Sequence, residues 1–390
     1  MTAPSTFGEL GLSIIGIGTE YPPYSLEHTC IDILSERFYP DTPSMRKNHP
    51  VVNQKNAPSI SELHQLFHSD GVPLAIRAAR KAIAEAKVDT RFITHIVATT
   101  CTDSANPGFD HFVAKGLGIT HGVEKVLLHG VGCSGGLATL RTGANLALGH
   151  RARGLPARVL CVALEVSTTM VRSWDHRVIP DTENDLGFDV DPVGWKVVLT
   201  PRVPKLTRAA IAPAFNDLKA SLPRLPPDYQ TAADFDWAMH PGGATILTGA
   251  EQAMNITPEH MRASYDTYIN HGNSSSATIF SVMDRLRSKD MDVISPGGRL
   301  REYVVGCAFG PGISVEMCML KRNLGLGSSI VGIQTPPQTP PETESEPSEV
   351  GDGEWGPEMS GSSDGKDAVI EPRDQDAAFV AKALEHLDLD

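Results

Sequence analysis

The feature that most constrains the fold is a short apolar strand that runs through a glycine-rich turn directly into a helix. The predicted strand covers residues 126–129, the turn reads GVGCSGG at 130–136, and the helix is predicted for 137–150. Further apolar strands are predicted at 95–100 and 158–163. This alternation of strands and helices predicts an α/β fold whose strands are buried on both faces.

The second half of the chain shows the same kind of alternation. A short strand at 237–239 ends at His240, which is followed by Pro-Gly-Gly. Two apolar strands at 303–309 and 313–320 are joined by Gly310-Pro311-Gly312, the pattern of a hairpin. The other predicted elements are a strand at 12–18 and helices at 72–87, 112–117, 244–254 and 276–287.

The composition changes at Gln334, where Pro, Glu, Ser, Thr and Gly begin to dominate. The segment 334–390 contains 15 acidic and three basic residues, so it carries −12 of the net charge of −13. Such a segment buries too little apolar surface to offset the entropy of ordering, and we predict disorder to about residue 376. The rest of the chain is nearly neutral, so it has no basic face that would indicate a nucleic-acid partner.

The cysteine spacing and the hydropathy exclude several other classes of protein. None of the six cysteines forms a C-x-x-C pair, which argues against a structural metal and against a disulfide framework. The first 12 residues lack the pattern of a signal peptide, and no apolar run approaches the ~20 residues of a membrane span. We therefore expect a soluble, cytoplasmic protein that does not insert into a membrane.

Cys133 is the strongest candidate for a nucleophile. It lies between a strand and a helix start, where unpaired N–H groups and the helix dipole favour a thiolate. Such a position can lower a thiol pKa from ~8.5 towards 7. Position alone leaves open the alternative of a packed, inert cysteine in a glycine-rich turn.

Two further residues favour the catalytic interpretation. His240 lies at a strand end, and Asn273 lies in the polar turn HGNSSSA at 271–277 before the next predicted helix. Taken singly, His240 is explained as a satisfied polar residue and Asn273 as a helix cap. Cysteine, histidine and asparagine in this order, each on a turn between elements, are the residues that a condensing enzyme needs.

The chemistry of condensation explains these residue types. A thiolate takes an acyl group from a thioester, and an imidazolium about 4 Å away stabilises that thiolate by ~4 kcal/mol, nearly three pKa units. A malonyl thioester then loses carbon dioxide to give an enolate, whose oxygen accepts hydrogen bonds from His and Asn side chains. This chemistry needs no metal and no neighbouring carboxylate, and a carboxylate would oppose enolate formation.

Four segments together resemble the signatures of the type III polyketide synthases, the chalcone synthase superfamily, and are most similar to its fungal branch. They are VGCSGG at 131–136, HPGG at 240–243, GNSSS at 272–276 and GPG at 310–312. The resemblance implies a thiolase-like fold with α-β-α-β-α layers, a homodimer, and malonyl-CoA and acyl-CoA as substrates, without a cofactor. Products would be pyrones, resorcinols or resorcylic acids.

The resemblance also implies roles for individual residues and segments. Cys133, His240 and Asn273 would be catalytic, with no metal. Thr102, Ser275 and the segment Gly310-Pro311-Gly312 would bind substrate, and Arg46 and Lys47 are candidates for coenzyme A binding that are equally explained as solvated loop charges. The implied organisation is an N-terminal half at 1–172, a C-terminal half at 173–333 and a tail at 334–390.

Two departures from the family pattern leave alternatives open. Cys133 and His240 are 107 residues apart, several dozen fewer than in the family, and a second gap falls near residues 47–48. The chain therefore has the pattern of a shortened isoform or of a mispredicted exon boundary. A shortened isoform would act either as an enzyme or as an inactive dimerisation partner. A ketoacyl synthase of the fatty-acid-initiating kind uses the same three residue types and is the other alternative.

Overall fold

The computed structural model describes most of the chain between residues 12 and 324. The described residues are 12–21, 58–119, 122–166, 186–191, 194–222, 225–322 and 324, with the backbone alone for 186–191 and 194–199. The predicted disordered tail, together with Arg46 and Lys47, lies outside these residues. Residues 1–323 group into one structural unit.

Three parallel strands form the sheet of the first half, in the order β2-β1-β3. The elements of this half are α1 (Ile60–Leu66), α2 (Val72–Ala86), β1 (His95–Thr99), α3 (Phe109–Gly116), β2 (Glu124–Leu128), α4 (Gly135–Ala152) and β3 (Val159–Ala163). A π-helical segment, Phe67–Gly71, joins α1 to α2. Every residue of β1 is buried, as its apolar run predicts for a central strand.

The second half contains a three-stranded sheet in the order β6-β7-β8, and a separate antiparallel hairpin formed by β4 and β5. Its elements are β4 (Leu186–Asp191), β5 (Gly194–Leu199), α5 (Val203–Ser221), β6 (Asp236–Met239), α6 (Ala244–Met254), α7 (Arg262–His271), α8 (Thr278–Leu286), α9 (Lys289–Val293), β7 (Tyr303–Gly310) and β8 (Ser314–Lys321). Strands β6 and β7 are parallel, whereas β7 and β8 form the predicted antiparallel hairpin.

Helix α4 is the middle layer of the fold. It packs on β1 and β3 on one side and on β7 and β8 on the other, with α8 beside it. Helices α2 and α3 cover the outer face of the first sheet, while α5 packs on β8 and is paired with α6. The sequence therefore predicted the α-β-α-β-α layering of a thiolase-like fold correctly.

The segment 12–21 differs from its prediction, because it is not a strand. Its backbone is hydrogen-bonded by side chains instead: the Ile17 N–H donates to Glu85, and Arg287 donates to the Ile17 carbonyl. A Cβ at Gly16 would approach the Ala82 carbonyl far below van der Waals distance. The backbone at Gly16 and Gly18 packs directly on α2, whereas Ile14 is exposed. The prediction of a buried strand was therefore wrong.

A buried ion pair aligns the strand and the helix that lead to two of the candidate site residues. Both Arg262 terminal nitrogens donate to Asp236, each at 2.8 Å, and both side chains are almost fully buried. The Met239 N–H adds a bond to the Ser264 hydroxyl at 3.0 Å. Asp236 begins β6, which leads to His240, and Arg262 begins α7, which leads to Asn273. These bonds therefore set the position of the two elements relative to each other.

Within the described part of the chain, no helix is long and apolar enough to span a bilayer.

Glycines allow the first half to contact the second half at backbone distance. A Cβ added to Gly136 in α4 would lie 2.5 Å from the Ser276 carbonyl oxygen and would also clash with Ile279. A Cβ added to Gly310 at the end of β7 would lie 2.5 Å from the Ser134 hydroxyl. These distances leave no room for a methyl group at either position.

We expect Gly136→Ala to lower the free energy of unfolding by ~1–3 kcal/mol, because the methyl group overpacks the contact between the halves. Gly149→Ala in the same helix is the matched control: no described atom lies within 4 Å of its Cβ position, so it should be neutral or stabilising by up to ~1 kcal/mol. Urea unfolding of both variants measures the difference. Equal effects at the two positions would contradict the close contact.

Candidate active site

Cys133 lies in a single turn of 3-10 helix, Gly132–Ser134, directly before α4. We call this turn the nucleophile turn. The Ser134 hydroxyl donates to the Val131 carbonyl at 2.6 Å and fixes the shape of the turn. The predicted placement of Cys133 between a strand and a helix start is confirmed.

A second turn, Ser275–Ala277, packs against the nucleophile turn, and we call it the serine turn. The Ser275 hydroxyl lies 3.3 Å from the Cys133 thiol and 3.2 Å from the Cys101 thiol. Ser275 has a positive φ of 50°, an unfavourable region for a residue with a Cβ. Its N–H donates to the Asn273 side-chain oxygen at 2.8 Å, so Asn273 holds Ser275 in this conformation.

His240 follows β6, and its N–H continues the pairing with β7 by donating to the Cys307 carbonyl at 2.8 Å. Its ring is fully buried, and neither ring nitrogen has a hydrogen-bond partner among the described residues. The Asn273 amide group donates to the carbonyl of Gly242, two residues after His240, at 3.4 Å. An unpaired buried polar group costs ~1–3 kcal/mol and is typical of a site that performs chemistry.

The charge state expected for Cys133 and His240 needs correction. Burial raises the pKa of the Cys133 thiol to about 11, although its hydrogen bond with Ser275 acts in the opposite direction. Burial lowers the pKa of His240 to about 4. The expectation of a thiol pKa near 7 was wrong for this structure, because loss of solvation outweighs the helix start. The resting pair is a neutral thiol and a neutral imidazole.

A buried carboxyl group lies next to this site, contrary to expectation. Glu165 accepts hydrogen bonds from the Thr102 hydroxyl at 2.9 Å, from the Cys101 N–H at 3.1 Å and from the Ser276 hydroxyl. Burial raises the pKa of Glu165, whereas these donors act against that rise. The raised pKa favours the neutral carboxylic acid, which opposes an enolate less than a carboxylate does.

The remaining predicted site residues are distributed as follows. Thr102 is buried, but its hydroxyl is occupied by Glu165 and by the Val166 N–H, which donates at 3.0 Å. Gly310 packs on the nucleophile turn, and Pro311 and Gly312 continue into the hairpin turn beside it. Arg46 and Lys47 lie outside the described residues, so their assignment stays a prediction.

Sequence reasoning missed Cys101 and Glu165 as site residues. The end of β1 leads to Cys101 and the end of β3 leads to Glu165, and these two strands are neighbours in parallel register. Side chains that follow adjacent parallel strands meet at the same edge of the sheet. That rule, applied to strands 95–100 and 158–163, is the signal that was available in the sequence.

Comparison with known proteins gives two matching domain families. Residues 24–181 match the N-terminal domain of chalcone and stilbene synthases, and residues 170–323 match the C-terminal domain of the same enzymes.

Three relatives illustrate the match. The type III polyketide synthase pspB of Penicillium soppii is 34% identical over 395 residues, covering 80% of this chain and 96% of pspB. A type III pentaketide synthase from Neurospora crassa has a solved structure with 58% identity and a TM-score of 0.74, covering 80% of this chain and 100% of that one. The acylalkylpyrone synthase csyB of Aspergillus oryzae is 30% identical, covering 80% of this chain and 94% of csyB. The structure of CsyB complexed with CoA-SH has a TM-score of 0.70 and covers 100% of that chain.

The two domain matches together span residues 24–323, and the relatives are matched over nearly their whole length. The chain therefore belongs to the chalcone and stilbene synthase family and is a type III polyketide synthase, an acyltransferase.

Proposed function

We propose that Cys133 accepts an acyl group from coenzyme A and that this group is extended with malonyl-CoA by decarboxylative condensation. The observation that supports this proposal is the packing of the two turns. It brings the Cys133 thiol to the Ser275 hydroxyl, while Asn273 holds Ser275 and reaches the backbone next to His240. The Cys133 thiol and the Asn273 amide are thus linked through Ser275, and the amide reaches the turn that follows His240.

In the loading step, the Cys133 sulfur adds to the thioester carbonyl of the starter. Because the thiol pKa is about 11, few molecules carry a free thiolate at neutral pH, so the proton must leave during the attack. The neutral ring of His240 is the base that accepts it. The proton then passes to the departing coenzyme A thiolate, which restores the neutral ring.

In the extension step, malonyl-CoA loses carbon dioxide and its enolate carbon attacks the acyl group on Cys133. The Asn273 side-chain oxygen accepts the Ser275 N–H, which leaves the NH₂ group as the donor side of the amide. This NH₂ group and the His240 ring donate hydrogen bonds to the enolate oxygen. The new carbon–carbon bond leaves the extended chain on coenzyme A and releases the Cys133 thiolate, which takes up a proton from solvent.

The substrates and assembly are proposed from the same family membership. One relative is named an acylalkylpyrone synthase and another a pentaketide synthase. These names support an acyl-CoA starter, several rounds of extension, and pyrone or resorcinol products. Thr102, Ser275 and the segment 310–312 would line the space for the growing chain, and a fatty acyl-CoA is the proposed starter. We propose a cytoplasmic homodimer that uses coenzyme A thioesters and no cofactor.

The shortened chain keeps a second candidate function open. The alignment with pspB runs over 395 residues but covers only 80% of this 390-residue chain, so pspB contains residues without a counterpart here. The missing counterparts support the internal gaps inferred from the sequence. A chain with such gaps could act as an inactive partner in mixed dimers. A folded dimer that never turns over malonyl-CoA would establish that alternative, whereas preference for a malonyl carrier protein would favour a ketoacyl synthase.

Replacing Cys133 should abolish both acyl loading and product formation, because no other group then attacks the starter thioester. We expect Cys133→Ala to give no product from a fatty acyl-CoA and radiolabelled malonyl-CoA. Cys161→Ala is the matched control, since Cys161 is a partly buried cysteine on β3 whose thiol donates to the Thr139 carbonyl. It should retain activity, and normal turnover by Cys133→Ala would refute the proposal.

Replacing His240 should slow alkylation of Cys133 by iodoacetamide by at least about tenfold at neutral pH, because the base is gone. In His240→Gln the raised thiol pKa then controls the rate, which should climb about tenfold per pH unit up to the thiol pKa. His111→Gln, on an exposed residue of α3, should react like the unmodified chain. Rates for His240→Gln that equal those of this control at every pH would contradict the role of His240.

A further inference from the structure

Three side chains form a cluster at the edge of the first sheet where its strands begin. His95 is the first residue of β1 and pairs in register with Glu124, the first residue of β2. His150 lies in the last turn of α4. The Nε2 atoms of His95 and His150 lie 3.6 Å and 3.8 Å from the two carboxylate oxygens of Glu124.

The Thr94 hydroxyl engages the Nδ1 atom of His95, which lies 2.8 Å away. The same hydroxyl lies 3.1 Å from the Arg158 carbonyl and accepts the Arg158 N–H at 2.9 Å. When His95 Nδ1–H donates to this hydroxyl and the hydroxyl donates to the carbonyl, the Nε2 of the neutral ring carries a lone pair. This atom is buried and has no hydrogen-bond partner among the described residues.

The same argument applies to His150. Its Nδ1 lies 3.3 Å from the Pro156 carbonyl, which can only accept a hydrogen bond. The proton of the neutral ring is therefore on Nδ1, and Nε2 again carries a lone pair. Histidines that ligate metals hold their other nitrogen in this way, since a backbone or hydroxyl oxygen fixes both the tautomer and the ring orientation.

In this tautomer, two Nε2 lone pairs face the one carboxylate of Glu124, and a cation placed between the three groups satisfies all of them. We propose that His95, Glu124 and His150 bind a divalent transition-metal ion, with Zn²⁺ the ion that suits two imidazoles and a carboxylate.

The distances fit such an ion. Ligands about 2.1 Å from a tetrahedral ion lie about 3.4 Å from one another. The two nitrogen–oxygen distances are close to this value, and all three ligand atoms lie within 4.8 Å of one another. The Glu124 side chain is 65% exposed, so its carboxylate can move the few tenths of an ångström that shorten the nitrogen–oxygen distances to about 3.4 Å. The ion can also enter from solvent on this side. The carbonyl end of the α4 dipole also favours a cation beside His150.

The site lies at the opposite end of the strands from the active site. Strand β1 runs from His95 towards Cys101, and its four residue steps alone span about 13 Å. An ion there would join the starts of β1 and β2 to the end of α4, whose first turn follows Cys133. Its role is therefore to hold the ends of these elements together, and it takes no part in condensation.

A second cluster of His64, His68 and Asp103 provides an internal control. There, the Asp103 carboxylate already forms a hydrogen bond with His64 Nδ1 at 2.8 Å. The histidine proton therefore occupies the space that an ion would need. This cluster is not proposed as a site.

The test uses the untagged full chain, stripped with EDTA and titrated with ZnCl₂ in competition with a chromogenic chelator. We expect one Zn²⁺ bound with micromolar or tighter affinity, no comparable binding of Mg²⁺, and a melting temperature that rises with Zn²⁺. Glu124→Gln and His150→Gln should each weaken Zn²⁺ binding at least about tenfold. Glu124 is exposed and His150 is partly buried. His64→Gln should bind as the unmodified chain does.

Co²⁺ provides a spectroscopic readout, because ligation by imidazole in a site of low coordination number gives intense visible absorption. The absorption should appear with the unmodified chain and with His64→Gln, and be lost in His150→Gln. The proposal is overturned if the unmodified chain binds no Zn²⁺ in the micromolar range. It is also overturned if the Glu124 and His150 variants bind as tightly as the unmodified chain, or if only His64→Gln loses binding.

Discussion

The close packing of the nucleophile turn against the second half of the chain is the constraint on which the site depends. Gly136 and Gly310 bring the backbone around Cys133 into contact with the serine turn and with the end of β7. A side chain at either glycine would separate the two halves. The site would then lose the contact between Cys133 and Ser275, through which the residues of the first half meet those of the second.

Burial sets the chemistry that this packing permits. It disfavours the charged forms of both Cys133 and His240, so their proton transfer is expected to accompany attack on the substrate. It also raises the pKa of Glu165, so a carboxyl group is tolerated beside a site that must form an enolate. The hydroxyl groups and N–H groups around Glu165 are satisfied by that carboxyl group, which keeps the ends of β1 and β3 in place.

Local patterns predicted the elements and the nucleophile well, because these are properties of short segments. The predicted helix 244–254 agrees with α6 at both ends, and the strand–turn–helix around Cys133 was predicted from its glycines. Helices α1, α5, α7 and α9 and the hairpin of β4 and β5 were not predicted. The buried residues of helix α7 are Ala263 and Tyr265 together with the polar Arg262, Ser264 and Thr267, so its sequence has little apolar periodicity. The burial of Arg262 is compensated by its ion pair with Asp236, a residue 26 positions away.

Contacts between distant segments account for what the sequence did not predict about the site. Glu165 meets Ser276 from 111 residues away, and Cys101 meets Ser275 from 174 residues away. The pKa of Cys133 also depends on its surroundings more than on its position before a helix. The same limit applies to the histidine cluster, because His95, Glu124 and His150 have no metal-ligand spacing in the sequence. They come together only through the register of β1 and β2 and the packing of α4 on β1.

The most direct test of the central claim is peptide mapping by mass spectrometry after the chain reacts with one equivalent of a fatty acyl-CoA in the absence of malonyl-CoA. The account predicts a thioester on the peptide that contains Cys133, with Cys101 unmodified although its thiol contacts the same Ser275 hydroxyl. An acyl group found on Cys101, or no covalent acyl group while condensation proceeds, would contradict it.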